Sequence, residues 1–147
     1  ATDEPAIVCD ALQDLATLYR RTKRLPEAQQ ALERIVNEFH SEPRERAEAL
    51  SRLAGMHRTA KQYDKAEACL RQILSDHGEM WSPSVEALDD LVALKLAQGQ
   101  EAEAKKTLQA HGEALKAHFH GTRYEGRVQP TLDRISLRFK LHDEESE

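Results

Sequence analysis

Ala11-Leu12-Gln13-Asp14-Leu15-Ala16 recurs as Ala49-Leu50-Ser51-Arg52-Leu53-Ala54, and again as Ala87-Leu88-Asp89-Asp90-Leu91-Val92. Each copy begins 38 residues after the previous one. The same step carries Ala28 to Ala66 and Ala104, Leu32 to Leu70 and Leu108, and Ile35 to Ile73 and His111. One spacing held through both halves of a unit marks an internal repeat, and repeats of this length stack into quasi-one-dimensional arrays. Within the first copy, Leu12, Leu15, Ala16 and Tyr19 follow a helical period, and Ala28, Leu32, Ile35 and Val36 do so again. Each repeat therefore reads as two helices. Pro5, Pro43 and Pro83 stand where the first helices open, and Pro26 where a second one does. Proline suits a first turn because its missing N–H has no intrahelical partner to lose there. Ser82 is a candidate N-cap, Gly78 a candidate end of the second repeat, and Gly99 the turn inside the third. The recurring alanine at 28, 66 and 104 lets the two helices of a hairpin approach closely.

At these residues the chain resembles the tetratricopeptide repeat family. Leu15-Ala16, Tyr19, Leu25, Ala28 and Leu32 carry the likeness in the first copy, and Leu53-Ala54, Tyr63, Ala66 and Leu70 in the second, where His57 replaces an aromatic. In the third, Leu91, Ala104 and Leu108 match while Lys95 and Glu101 depart. The 38-residue step, with Ser82-Pro83-Ser84-Val85 in the linker, is similar to the longer-looped kinesin light chain type. The resemblance implies an all-α, right-handed α-solenoid. Residues 1–120 would hold three hairpins, at about 5–40, 43–78 and 83–120. A capping helix would lie within 121–142, and 143–147 would form an acidic tail. Lys95, Glu101 and His111 suit a terminal repeat with a polar outer face. Val128, Leu132, Ile135 and Phe139 form one apolar stripe, over about 127–142, with Pro130 expected in its first turn. Leu137 and Leu141 lie off that stripe. They either broaden the buried face or meet another chain or further repeats.

Composition narrows the function. The 147 residues carry a net charge of −5. Four acids, Asp143, Glu144, Glu145 and Glu147, fall in the last five positions, so the body is nearly neutral. That argues against nucleic acid as partner. Mean hydropathy is −0.70, and no apolar run is long enough for membrane insertion. No basic segment followed by an apolar one opens the chain, so a cytoplasmic setting is expected. The first residue is not Met, which processing or excision from a longer protein explains. No phosphate-binding, dinucleotide-binding, nucleophile-elbow or H-E-x-x-H motif occurs. Asp89-Asp90 and Asp10/Asp14 read as solvated carboxylates, so no enzyme and no cofactor is expected. Cys9 shares its register with Ala47 and Val85, and Cys69 with Ala31 and Thr107, which are small packing positions. His111, His118 and His120 have ligand chemistry without a partner at diagnostic spacing, so no metal is expected. Arg123, Arg127, Arg134 and Arg138 share one face of the last helix, as a solvated face or a receptor for an acidic partner.

The resemblance further implies that the first helices of successive repeats line a concave groove for a peptide or helix of a partner protein. The positions so implied are Gln13, Thr17, Arg20 and Arg21 in the first repeat, and Ser51, Gly55, Arg58 and Thr59 in the second. Asp89, Ala93 and Leu96 follow in the third. Thr17, Gly55 and Ala93 share one register and are all small. Glycine inside a helix costs about 1 kcal/mol against alanine, so Gly55 serves either close helix packing or room for a ligand. Arg20, Arg21 and Arg58 could hold an acidic or phosphorylated segment. The expected function is a non-catalytic adaptor or scaffold. The alternative is a structural subunit of a larger complex, contacting partners through its convex faces and C-terminal helix.

Overall fold

The structure is a computed structural model that describes residues 4–146. Its described residues form seven α-helices and no strand: α1 Glu4–Arg21, α2 Leu25–Glu38, α3 Pro43–Thr59, α4 Tyr63–Asp76, α5 Trp81–Ala97, α6 Glu101–His118 and α7 Glu125–Ser146. The 38-residue step of the sequence is visible in the backbone. First helices end at Arg21, Thr59 and Ala97, and second helices begin at Leu25, Tyr63 and Glu101. Between them, Lys23, Lys61 and Gly99 occupy the left-handed region at φ 61°, 60° and 73°. The residue after each returns its N–H to the same register position: Arg24 to the Tyr19 carbonyl at 2.7 Å, Gln62 to His57 at 2.8 Å, and Gln100 to Lys95 at 2.9 Å. These bonds satisfy carbonyls that a helix end leaves without partners. One turn is thus used three times. Only the third has the glycine that the conformation favours.

The chain divides into two compact units, one ending at Ile73 and the other beginning at Leu74. In the first, α1 and α2 form a hairpin and α3 packs on α2. The Arg46 guanidinium, itself buried, donates to the Val36 carbonyl at 3.0 Å and ties those two helices. Leu12, Ala16, Ala28, Leu32, Ile35, Leu50, Leu53 and Leu70 are buried, while Leu15, placed by the period on the same stripe, is exposed and Tyr19 is half-buried. Pro26 and Pro43 sit in the first turns of α2 and α3.

In the second unit, α5 packs on α6, and α7 closes over both. Leu88, Val92, Leu96, Leu115, Phe119, Val128, Leu132 and Ile135 form its core. Register explains how α7 fits. Val36 and Leu74 stand where the third repeat has Gly112, and a Cβ there would lie 3.2 Å from a Leu132 methyl. The missing side chain is the space that Leu132 fills. Beyond α6, Trp81 stacks on Tyr124 at 5.1 Å and meets Phe119 edge-on at 5.1 Å, which fixes the corner into α7.

Three local expectations need correction. Trp81 and Ser82 are already helical, so the residue preceding α5 is Met80, not Ser82. The Ser84 hydroxyl, buried, instead donates to the His77 carbonyl at 3.1 Å. Pro130 lies inside α7 rather than in its first turn, because the helix already starts at Glu125. Finally, α7 continues through Asp143, Glu144 and Glu145 to Ser146. Glu147 lies outside the described residues.

Candidate partner-binding surfaces

In the first unit α1 and α3 are cross-linked by polar groups. Arg52 Nη1 donates to the Gln13 carbonyl at 3.1 Å and to Gln13 Oε1, and Nη2 donates to Thr17 Oγ1 at 2.8 Å. The Thr17 hydroxyl donates in turn to the Gln13 carbonyl at 3.1 Å. Gln13 is buried, and its Nε2 has no hydrogen-bond partner among the described residues. Beside this cross-link opens a cavity of about 630 Å³, with Arg20, Arg52, Gly55, Thr59, Gln29 and Gln62 in its wall. His57 also lines it, its Nδ1 3.1 Å from Gln62 Oε1.

Arg52 uses its donors only on neutral oxygens. No carboxylate among the described residues pairs with it or with Arg20. Burial, followed by the charge of Arg20, pulls the Arg52 guanidinium below the usual arginine value, while Glu48 and Asp14 act the other way. Two guanidinium groups facing the cavity, neither of them hydrogen-bonded to a carboxylate, favour an anion there.

The groove positions named from sequence separate in the structure. Arg20, Gly55 and Thr59 line the cavity, and Gln13 and Thr17 hold Arg52. A Cβ added to Gly55 would meet no atom within 4 Å, so helix packing does not explain that glycine. Arg21 and Arg58 are exposed and Ser51 is half-buried, none of them in the cavity wall. In the second unit, Ala93 is buried and Leu96 belongs to the core. Asp89 is held by Arg138, whose Nε and Nη2 donate to its two oxygens at 2.5 and 3.1 Å. That hydrogen bond raises the Arg138 pKa above its ordinary value. Arg52 itself was missed. Its signal was a charge reversal in register, since Asp14 and Asp90 occupy the same position in the other repeats.

A second concavity, of about 640 Å³, lies between α5 and α7. Trp81, Val85, Arg134, Leu137 and Leu141 line it, and the two leucines are exposed. The four arginines of the last segment have different tasks. Arg138 holds Asp89, Arg123 lies over the Tyr124 ring at 4.8 Å with Arg127 at 5.9 Å, and Arg134 faces the concavity.

The remaining chemistry is plain. Cys9 is fully buried, and burial first, then Glu45, Glu42 and Asp10, pushes its thiol up to about 11. Burial, then Glu33, also raises Cys69. Thiols held protonated are poor nucleophiles. His120 pairs with Glu125 at 2.8 Å, and His118 packs edge-on against Phe119. His111 and His118 border a smaller pocket lined also by Leu74 and Leu115.

Models of the tetratricopeptide repeat match residues 10–39 and 46–79. Residues 10–39 and 46–79 are tetratricopeptide repeats. The first match spans the α1–α2 hairpin and the second spans α3 with α4, so family and turn geometry agree in both. Neither match singles out the kinesin light chain type. No curated protein and no solved structure matches the chain. Tetratricopeptide repeats generally mediate protein–protein interaction and scaffolding, and the family is typically non-catalytic. No described helix is long and apolar enough to cross a membrane.

Proposed function

We propose that this tetratricopeptide repeat chain is a non-catalytic adaptor, acting in the cytoplasm, whose first unit receives an acidic segment of a partner protein. The observation that carries the reading is the cavity walled by Arg20 and Arg52, two guanidinium groups without a carboxylate partner. Carboxylates entering it would gain charge-assisted hydrogen bonds of about 1.5–3 kcal/mol each, less where water screens them. Gly55 leaves that wall open. The partner is to be identified by purification from the native cell, and its affinity measured for three variants. Arg20→Glu should weaken binding at least about tenfold, since attraction becomes repulsion. Arg52→Lys keeps the charge but loses the planar fork and should also weaken it. Gly55→Leu should obstruct the cavity while leaving the helix intact. Arg58→Glu, outside the wall, should have little effect. Unchanged affinity in the first three variants would place recognition elsewhere.

A second reading has its own observation. The concavity between α5 and α7 exposes Leu137 and Leu141 beside Arg134. A structural subunit would use that face of the C-terminal helix. Leu137→Lys with Leu141→Lys should then abolish assembly while Arg20→Glu leaves it intact.

A further inference from the structure

One inter-helix joint is built twice, with different acceptors. In the first unit Arg52 of α3 reaches back to Gln13 of α1. In the second, Arg138 of α7 reaches back to Asp89 of α5. Gln13 and Asp89 share a register, two 38-residue steps apart. The Asp89 carboxylate accepts on both oxygens, from Arg138 Nε at 2.5 Å and from Nη2 at 3.1 Å. It thereby fills the side-on edge of the guanidinium, a planar fork that matches a carboxylate. The side-chain amide of Gln13 accepts on one atom only. Its Oε1 takes a bond from Arg52 Nη1, while its Nε2, buried, donates to nothing among the described residues. A buried donor without an acceptor destabilises the fold. A carboxylate in the same place has no N–H to leave unpaired and would neutralise the arginine. The joint between α1 and α3 by itself therefore does not favour glutamine over glutamate.

What glutamine preserves is the side-on edge of Arg52. The guanidinium commits Nη1 to the carbonyl and Oε1 of Gln13, and one N–H of Nη2 to Thr17 Oγ1. Its Nε–H and the second N–H of Nη2 meet no acceptor among the described residues. These are the two groups that Arg138 gives to Asp89. The Thr17 hydroxyl closes the arrangement, accepting from Nη2 and donating to the Gln13 carbonyl. Arg52 and Arg20 both line the cavity of about 630 Å³. We propose that Gln13 is the positioning residue of that cavity: it grips Arg52 by Nη1 without neutralising it, and so keeps the Nε–Nη2 edge for a carboxylate of an acidic segment, bound side-on with Arg20 beside it. The proposal rests on the reading of the first unit as a receptor for such a segment, and adds the geometry of the contact and the residue that enforces it. A carboxylate at position 13 would be an internal occupant of the fork, as Asp89 is for Arg138.

Binding of a fluorescein-labelled hexaglutamate peptide to the full chain, read by anisotropy at low salt, tests the proposal, with hexaglutamine as the neutral control. The wild-type chain should bind hexaglutamate saturably below about 1 mM, and hexaglutamine not at all. Gln13→Glu is nearly isosteric. It should raise the urea midpoint and weaken hexaglutamate binding at least about tenfold, so that stability and binding move in opposite directions. A glutamine that merely packs would lose both together. Gln13→Met keeps the length, removes the acceptor and leaves Arg52 charged. It should weaken binding about threefold while its circular dichroism stays helical. Binding that Arg20→Glu removes and neither Gln13 variant alters would overturn the role of Gln13 and leave the acidic-segment reading standing. A Gln13→Glu chain less stable than wild type, or one that fails to fold while Gln13→Met binds as the wild type does, would overturn that role as well. No binding of hexaglutamate by the wild-type chain would overturn the acidic-segment reading and this inference with it.

Discussion

Lys23, Lys61 and Gly99 do one job with different fitness. All three hold the left-handed conformation that turns a first helix into a second, each 38 residues from the next. For a residue with a Cβ that conformation costs about 1–2 kcal/mol, and glycine escapes it. Glycine loses more chain entropy on folding, roughly 0.4–1 kcal/mol, so the net gain from replacing lysine is smaller than the strain. Lys61 is exposed. Lys61→Gly should therefore stabilise the protein by about 0.5–1 kcal/mol, seen as a higher urea midpoint at unchanged slope. A lower midpoint would mean that the lysine side chain contributes something the turn geometry does not reveal. Arg52 is the opposite kind of residue, where local cost is met by a tertiary contact. Its guanidinium is partly desolvated and stands near another cation, yet it joins α1 to α3.

Among the elements, α6 and α7 show how one glycine seats a neighbouring helix. The first two repeats put Val36 and Leu74 where the third has Gly112. Restoring the repeat residue would improve helix propensity by about 1 kcal/mol. It would also drive a branched side chain into Leu132, whose methyl already lies 3.2 Å from the position of the first added carbon. Overpacking of this kind costs typically about 1–3 kcal/mol, and here it would also pry α7 from α6. Gly112→Leu should lower stability by roughly that amount and increase amide exchange along α7. A stabilised variant would show that α7 slides easily and that Gly112 is not what seats it. Register also accounts for the altered helix lengths. α2 and α4 each span 14 residues, while α6 spans 18 and delivers Phe119 to Trp81 and Tyr124.

Over the whole molecule, what the sequence made legible was whatever the repeat states three times. Helix number, hairpin pairing and the buried stripes follow from the 38-residue step, because packing imposes the same demand at each copy. Features that occur once were hidden. Arg52 recognises Gln13 and Thr17 across 39 and 35 residues, and Arg138 reaches Asp89 across 49, distances that no local pattern reports. At the groove positions Ala93 and Leu96 register points to a partner surface while the side chains are buried, a difference that register alone does not report. The same contrast of burial predicts how stability is distributed along the chain. In α5, Ser84, Leu88, Leu91 and Val92 are fully enclosed, while α1 leaves Ile7, Leu15 and Leu18 in water. Local opening free energy follows buried apolar packing. Hydrogen exchange should find α5 amides the slowest of the first helices and α1 the fastest, with α3 between. Equal protection of α1 and α5 in dilute solution would mean that exposed seams do not govern opening here. The stabilities of the repeats would then be set by the turns they share rather than by the faces in which they differ.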